Sequence, residues 1–267
     1  MIYIIFLIVT FAILAFVFYH SQYYFVFKPS YYRDIVLDDE FELLSVTTGD
    51  GVELEGVVYE PKELYRHLPS IESTLLFFPG NYHDVVGLIK KLSSSYPHVR
   101  IVAFNYRSYG KSGGVVNEKN ILTDGVKIAK LVKKNYGDFY ILGYSLGSSV
   151  AAYVASKVKT KGVFLVGSFD SYYELVKKRY RTIDKISKVN LSRIFRYKFN
   201  NKDHVKAINA NTYLFGSKSD QVIHIHNMRN LKQHVNNLSH YEELENLTHT
   251  ELLWDKKVVE RIRGVMK

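Results

Sequence analysis

The chain has no cysteine among its 267 residues. Disulfide bonds, thiolate catalysis and cysteine-ligated zinc are thereby excluded. The P-loop spacing Gly-x-x-x-x-Gly-Lys-Ser/Thr is missing too. Gly110-Lys111-Ser112 is present, but position 105 is asparagine, so nucleotide binding is not expected. No nucleic-acid motif accompanies the basic residues, and nucleic acid is not an expected partner. His224-Ile225-His226 has neither cysteine nor clustered carboxylates beside it, so neither a metal site nor a cofactor is expected. Internal repeats and low-complexity tracts are absent.

Residues 1–19, MIYIIFLIVTFAILAFVFY, lack any charged side chain. As a helix they would be about 29 Å long, close to a bilayer's apolar thickness. A cleaved signal would want a basic start and a small-x-small cleavage site, and neither is there. The expectation is a single-pass anchor over 1–20, a juxtamembrane linker over 21–39 and one domain over 40–267. Tyr19, Tyr23 and Tyr24 suit an interfacial aromatic belt. Basic residues flank only the downstream end, at Lys28 and Arg33, which puts the domain in the cytoplasm by the positive-inside rule. Deleting residues 1–27 is then expected to release a soluble, active domain.

The net charge is +10, and much of it lies between Lys177 and Lys206, with only Asp184 and Asp203 opposing. A basic face held against anionic lipid heads accounts for it, at about 1 kcal/mol per charge near the surface. An ordinary solvated face accounts for it equally well.

Along the chain, residues 41–48 and 52–59 alternate as two strands around the tight turn Gly49-Asp50-Gly51. Apolar runs at 74–78, 101–104, 139–142, 163–166 and 212–215 read as buried parallel strands, with a last short strand at 241–244. Helical spacing falls between them, from about Asp84, over 121–132, over 148–155, near 225–235 and over 251–265. The alternation predicts an α/β domain with a mostly parallel sheet and helices on both faces. Residues 170–208 lack a strand pattern and read as a cap-like insertion over the sheet's C-terminal edge, where ligands bind in such sheets.

Gly143-Tyr144-Ser145-Leu146-Gly147 is the sole Gly-x-Ser-x-Gly in the chain. A strand precedes it and a helix follows, the context of a nucleophile elbow. A side chain at either flanking glycine would clash with its neighbours. The serine needs a base, and the base an orienting acid, in the chain order Ser, Asp, His. Asp220, just past the strand 212–215, and His249, before the last helix, fit that order. Asp170 is the rival acid because it also follows a strand end. His224, His226, His234 and His240 are less suitable bases. The oxyanion donors expected are the main-chain N–H groups of Leu146 and Asn81, the latter in the loop Pro79-Gly80-Asn81.

On these stretches the chain resembles the α/β-hydrolase superfamily, and within it the small membrane-anchored serine hydrolases that include protein depalmitoylases. Phe78-Pro79-Gly80-Asn81 stands where the family carries His-Gly-Asn. Asn105-Tyr106-Arg107-Ser108-Tyr109-Gly110-Lys111-Ser112-Gly113-Gly114 is similar to its Asp-Tyr-Arg-Gly-Tyr-Gly-x-Ser-x-Gly stretch. Gly216 to Ile223, followed by His249, matches the acid and base positions. Pro79 and Asn105 depart from the family pattern. The resemblance implies an α/β-hydrolase fold and hydrolysis of an ester or thioester, on an acyl-lipid or S-acyl protein, by Ser145, His249 and Asp220. The partners expected are a small or lipid-like acyl substrate and the membrane. A catalytically silent binding protein, a serine peptidase, and a lipid- or nucleic-acid-binding module driven by the basic cluster are the competing readings.

Overall fold

The computed structural model describes residues 2–31, 36–61, 73–177 and 195–267. Eight strands form one sheet: β1 (Phe41–Thr47), β2 (Glu53–Tyr59), β3 (Thr74–Phe78), β4 (Arg100–Phe104), β5 (Phe139–Tyr144), β6 (Gly162–Val166), β7 (Asn211–Ser217) and β8 (Leu238–Leu244). Their order is β1-β2-β4-β3-β5-β6-β7-β8. β2 pairs antiparallel with both β1 and β4, and all pairings from β4 to β8 are parallel. The helices are α1 (Ile2–Val26), α2 (Val85–Ser95), α3 (Glu118–Tyr136), α4 (Leu146–Ala155), α5 (Tyr172–Lys177), α6 (Asn201–Lys206), α7 (Ile225–Lys232), α8 (His249–Leu252) and α9 (Lys256–Met266).

Successive strand residues point to opposite faces, so the apolar runs feed two cores. Leu76, Phe78, Val102, Ile141, Val163 and Leu165 pack with α3 and α4 on one face. Leu75, Phe77, Ile101, Leu142, Phe164 and Val166 pack with α2 and α9 on the other. Both faces are covered, as a parallel sheet requires.

Two expectations need revision. The closing helix over 251–265 is two helices. Asp255 breaks it, capping α9 by accepting from the N–H groups of Lys257 and Val258. The linker over 21–39 is also not linker throughout, because α1 runs on to Val26. The extra turn packs on the domain. Gln22, Val26 and Phe27 are buried, Phe27 packs edge-on against Tyr197 at 5.0 Å, and Gln22 Oε1 accepts from Arg196 N at 2.8 Å. The apolar part of α1 before that turn is unburied and long enough to cross a bilayer, as an anchor or a signal sequence would be. Within 170–208 the described segments carry α5 and α6, and α6 packs on α4. Arg33 and the basic residues from Lys178 to Arg193 lie outside the described residues.

Candidate active site

β5 ends at Tyr144 and α4 begins at Leu146, so one residue turns the chain. Ser145 makes that turn at φ 54° and ψ −121°. Such backbone costs a non-glycine residue about 1–3 kcal/mol and persists only where the surroundings enforce it. The surroundings are tight. A Cβ on Gly143 would lie 2.5 Å from Ala151 Cβ, and one on Gly147 would lie 2.0 Å from Phe78 O. Ser145 N donates to Val166 O at 3.0 Å, tying the elbow to the end of β6. Ser148 Oγ donates to Ser145 O at 2.6 Å and lies 2.9 Å from Ser168 Oγ.

Ser145, His249 and Asp220 come together, although the chain separates Ser145 from His249 by 104 residues. His249 Nε2 lies 2.9 Å from Ser145 Oγ, and His249 Nδ1 lies 2.6 Å from Asp220 Oδ2. These contacts are mutually consistent when Nδ1–H donates to Asp220 and Nε2 accepts from the serine hydroxyl. All three residues are buried or nearly so. Asp220 is held by its other oxygen, where Oδ1 accepts from the N–H groups of Val222 and Ile223, both at 2.8 Å. The carboxylate can therefore brace one imidazole nitrogen while the other takes the serine proton.

The His249 ring is fixed from several sides. Tyr144 stacks on it with centroids 5.1 Å apart at 27°. Tyr144 Oη also donates to His249 O at 2.9 Å, and burial pushes that hydroxyl well above the usual tyrosine range. Gly167, at φ 57°, leaves only 3.1 Å between a built Cβ and His249 Cε1. Ser217 Oγ donates to Leu247 O at 2.6 Å and pins the loop that carries His249. Neither Tyr144, the variable residue of the elbow pattern, nor Ser217 carries a sequence signal.

His249 Nδ1 is taken by Asp220, and the rival Asp170 has other partners. Asp170 is buried, accepts from Ser171 N at 2.8 Å, and faces Asn230 Nδ2 at 3.5 Å. Burial raises its carboxyl above the usual range. His224 and His226 stack on each other at 5.9 Å, and His240 faces Glu242. Among the described residues no cluster of His, Asp or Glu could hold a metal.

Leu146, the first residue of α4, presents an N–H that the helix itself cannot use. The loop of Asn81 lies against the elbow, since Gly147 abuts Phe78 O and Pro79 O, and Gly80 abuts the Tyr144 ring. The segment from 105 to 114 buttresses that loop. Tyr106 Oη donates to Pro79 O at 2.8 Å and Tyr109 Oη to Asn81 O at 3.0 Å. The Asn81 side chain meets the end of α1, where its Nδ2 donates to Val26 O at 3.1 Å. His83 lies beside the same loop, its ring 5.8 Å from that of Tyr144, and burial lowers its affinity for a proton.

Asn105 has a local reason to be uncharged. Its Nδ2 donates to Asp84 Oδ1 at 2.9 Å and Glu55 Oε2 at 3.1 Å, while Oδ1 accepts from Val85 N. An aspartate there would be a third carboxylate with no proton to give.

No protein-family model matches the chain, and a search of curated proteins finds no match. Solved structures do match. The esterase Pf2001 of Pyrococcus furiosus superposes with a TM-score of 0.66 at 19% identity, over 90% of this chain and 96% of that one. The acetyl xylan esterase of Paenibacillus sp. R4 gives 0.65 at 15% identity, over 90% and 88%. XC6422 of Xanthomonas campestris, an α/β serine hydrolase without a lid, gives 0.58 at 14% identity, over 87% and 94%. At such identities the likeness speaks for the fold.

Proposed function

We propose, from the premise that this chain has the α/β-hydrolase fold, that it is a membrane-anchored serine hydrolase of carboxylic esters or thioesters. The observation that carries the reading is the continuous contact from Asp220 through His249 to Ser145, at 2.6 and 2.9 Å. His249 Nε2 takes the hydroxyl proton as Ser145 Oγ bonds to the acyl carbon. The negative charge gathering on the carbonyl oxygen is met by the N–H groups of Leu146 and Asn81. The bond to the leaving oxygen or sulfur breaks, and the imidazolium returns its proton to that atom. Water, deprotonated by His249, then releases the acid and restores Ser145.

The acyl substrate is proposed to sit in the membrane that α1 occupies, as an acyl-lipid or an S-acyl protein. The support is proximity. From His20 to Val26 there is about 9 Å of helix, and Val26 touches the loop of Asn81. A carbonyl at headgroup height then needs little lifting to reach Ser145. Lys28, just past the helix, is the charge bias that puts the domain on the cytoplasmic side in this reading.

The test is turnover of nitrophenyl esters and matched thioesters of increasing acyl length by the full chain in vesicles. Hydrolysis is expected, with a preference for long chains, and is expected to vanish in Ser145→Ala. Hydrolysis undiminished in that variant would contradict the reading.

A further inference from the structure

We propose that Asn81 is a positioning residue that joins the end of α1 to the oxyanion loop, making the N-terminal helix a working part of the active site as well as a tether. The proposal rests on the hydrolase reading given above. A helix leaves its last carbonyls without intrahelical partners. One of these, Val26 O, takes the Asn81 Nδ2 donor at 3.1 Å. The chain just beyond is fastened to the same place. Lys28 N donates to Tyr109 Oη at 3.0 Å, Tyr109 Oη donates to Asn81 O at 3.0 Å, and Gly110 N donates to Ser30 O at 2.9 Å. Asn81 is thus gripped twice from the helix end, directly at its side chain and through Tyr109 at its carbonyl. Tyr109 is fully buried, and that burial keeps its hydroxyl protonated and able to donate.

The helix end is itself immobilised by contacts elsewhere. Gln22 Oε1 accepts from Arg196 N at 2.8 Å, and Phe27 packs against Tyr197 and Phe199 at 5.0 and 6.2 Å. Fixing the side chain and carbonyl of Asn81 orients its Cα, and His83 N, donating to Gly80 O at 3.4 Å, holds the peptide plane that carries the Asn81 N–H, hence its aim. An oxyanion donor works through being aimed before the charge appears, and a shift of about 1 Å can cost on the order of 100-fold. The bland alternative is a helix cap that contributes stability alone. The two differ in what they do to the folded enzyme.

The experiment uses the full chain in detergent with nitrophenyl acetate, so that access to a bilayer does not limit the rate. Active sites are counted by burst titration, so that kcat refers to folded enzyme. Asn81→Ala is expected to lower kcat about 10- to 100-fold with KM within about twofold. Tyr109→Phe, which removes the bridge to the carbonyl, is expected to act the same way more weakly. Gln22→Ala, which loosens α1 on its far side, is expected to lower kcat when Asn81 is present and to add nothing in Asn81→Ala. A lower melting temperature with unchanged kcat per titrated site in Asn81→Ala would reduce Asn81 to a cap and overturn the proposal. A Gln22→Ala effect of equal size in both backgrounds would overturn the link to the helix. Hydrolysis surviving Ser145→Ala would instead sink the hydrolase reading, and the proposal with it.

Discussion

Tyr144 holds His249 twice, by stacking on its ring at 5.1 Å and by donating its hydroxyl to the His249 carbonyl at 2.9 Å. Tyr144, next to Ser145, therefore sets the height and tilt of the His249 ring. Tyr144→Phe keeps the stacking and loses one hydrogen bond, about 1 kcal/mol. It is expected to lower kcat about fivefold with little change in KM, in steady-state ester hydrolysis. Tyr144→Ala is expected to lose considerably more. Equal rates for Phe and the wild type would show that stacking alone aligns the ring.

Asn105 lies between Asp84 and Glu55, so a negative charge there would face two carboxylates and keep only the Val85 N–H as a favourable partner. Asn105→Asp is expected to cost on the order of 2–3 kcal/mol at neutral pH, read from urea unfolding. Between two carboxylates the new group would have a higher pKa folded than unfolded. The native state would then bind the extra proton first, and the lost stability should return as pH falls through the carboxylate range. A loss that stayed constant down to acid pH would point to shape instead of charge.

Arg107 ties the glycine-rich loop to two other elements, reaching Asp124 at 2.7 and 3.0 Å and Asp50 at 2.7 Å through each of two nitrogens. Its two partners differ in exposure, with the Asp124 side chain 10% exposed and that of Asp50 62% exposed. Arg107→Ala strands a buried carboxylate and is expected to cost on the order of 3 kcal/mol. Asp50→Ala removes a solvated partner and should cost far less. Denaturant midpoints for the two variants decide the ranking.

Asp170 carries a carboxyl whose pKa burial raises. The folded state holds that proton to higher pH than the unfolded chain does, so its contribution to stability falls as pH rises through the folded pKa. Asp170→Asn is expected to raise the melting temperature at pH 7, with the advantage shrinking as both forms become neutral in acid. A variant less stable than the wild type at neutral pH, with the deficit closing in acid, would show that Asp170 works as an anion.

The parts of this site that sequence carried were the ones encoded locally. Gly143, Ser145 and Gly147 lie within five residues, and the glycines are required by contacts that any side chain there would violate. Asp220 and His249 could be read because each follows a strand end in a fixed chain order. Tyr144 and Asn105 act through partners far along the chain: the Asn105–Glu55 contact spans 50 residues and the Tyr144–His249 contact 105. Nothing in the neighbouring residues announces such pairings. The overrun of α1 past residue 20 has the same origin, because Gln22 and Phe27 are held by Arg196 and Tyr197. A cut after residue 27 would remove a buried part of the domain, so the soluble, active product expected from that deletion is withdrawn.

The central claim is that the Ser145 hydroxyl is activated through His249. Its most direct measurement is covalent labelling of the full chain with a fluorophosphonate probe, followed by mapping of the modified peptide. The account predicts a single adduct on Ser145, absent in Ser145→Ala and strongly slowed in His249→Ala. An adduct on another residue, or labelling as fast in His249→Ala as in the wild type, would contradict it.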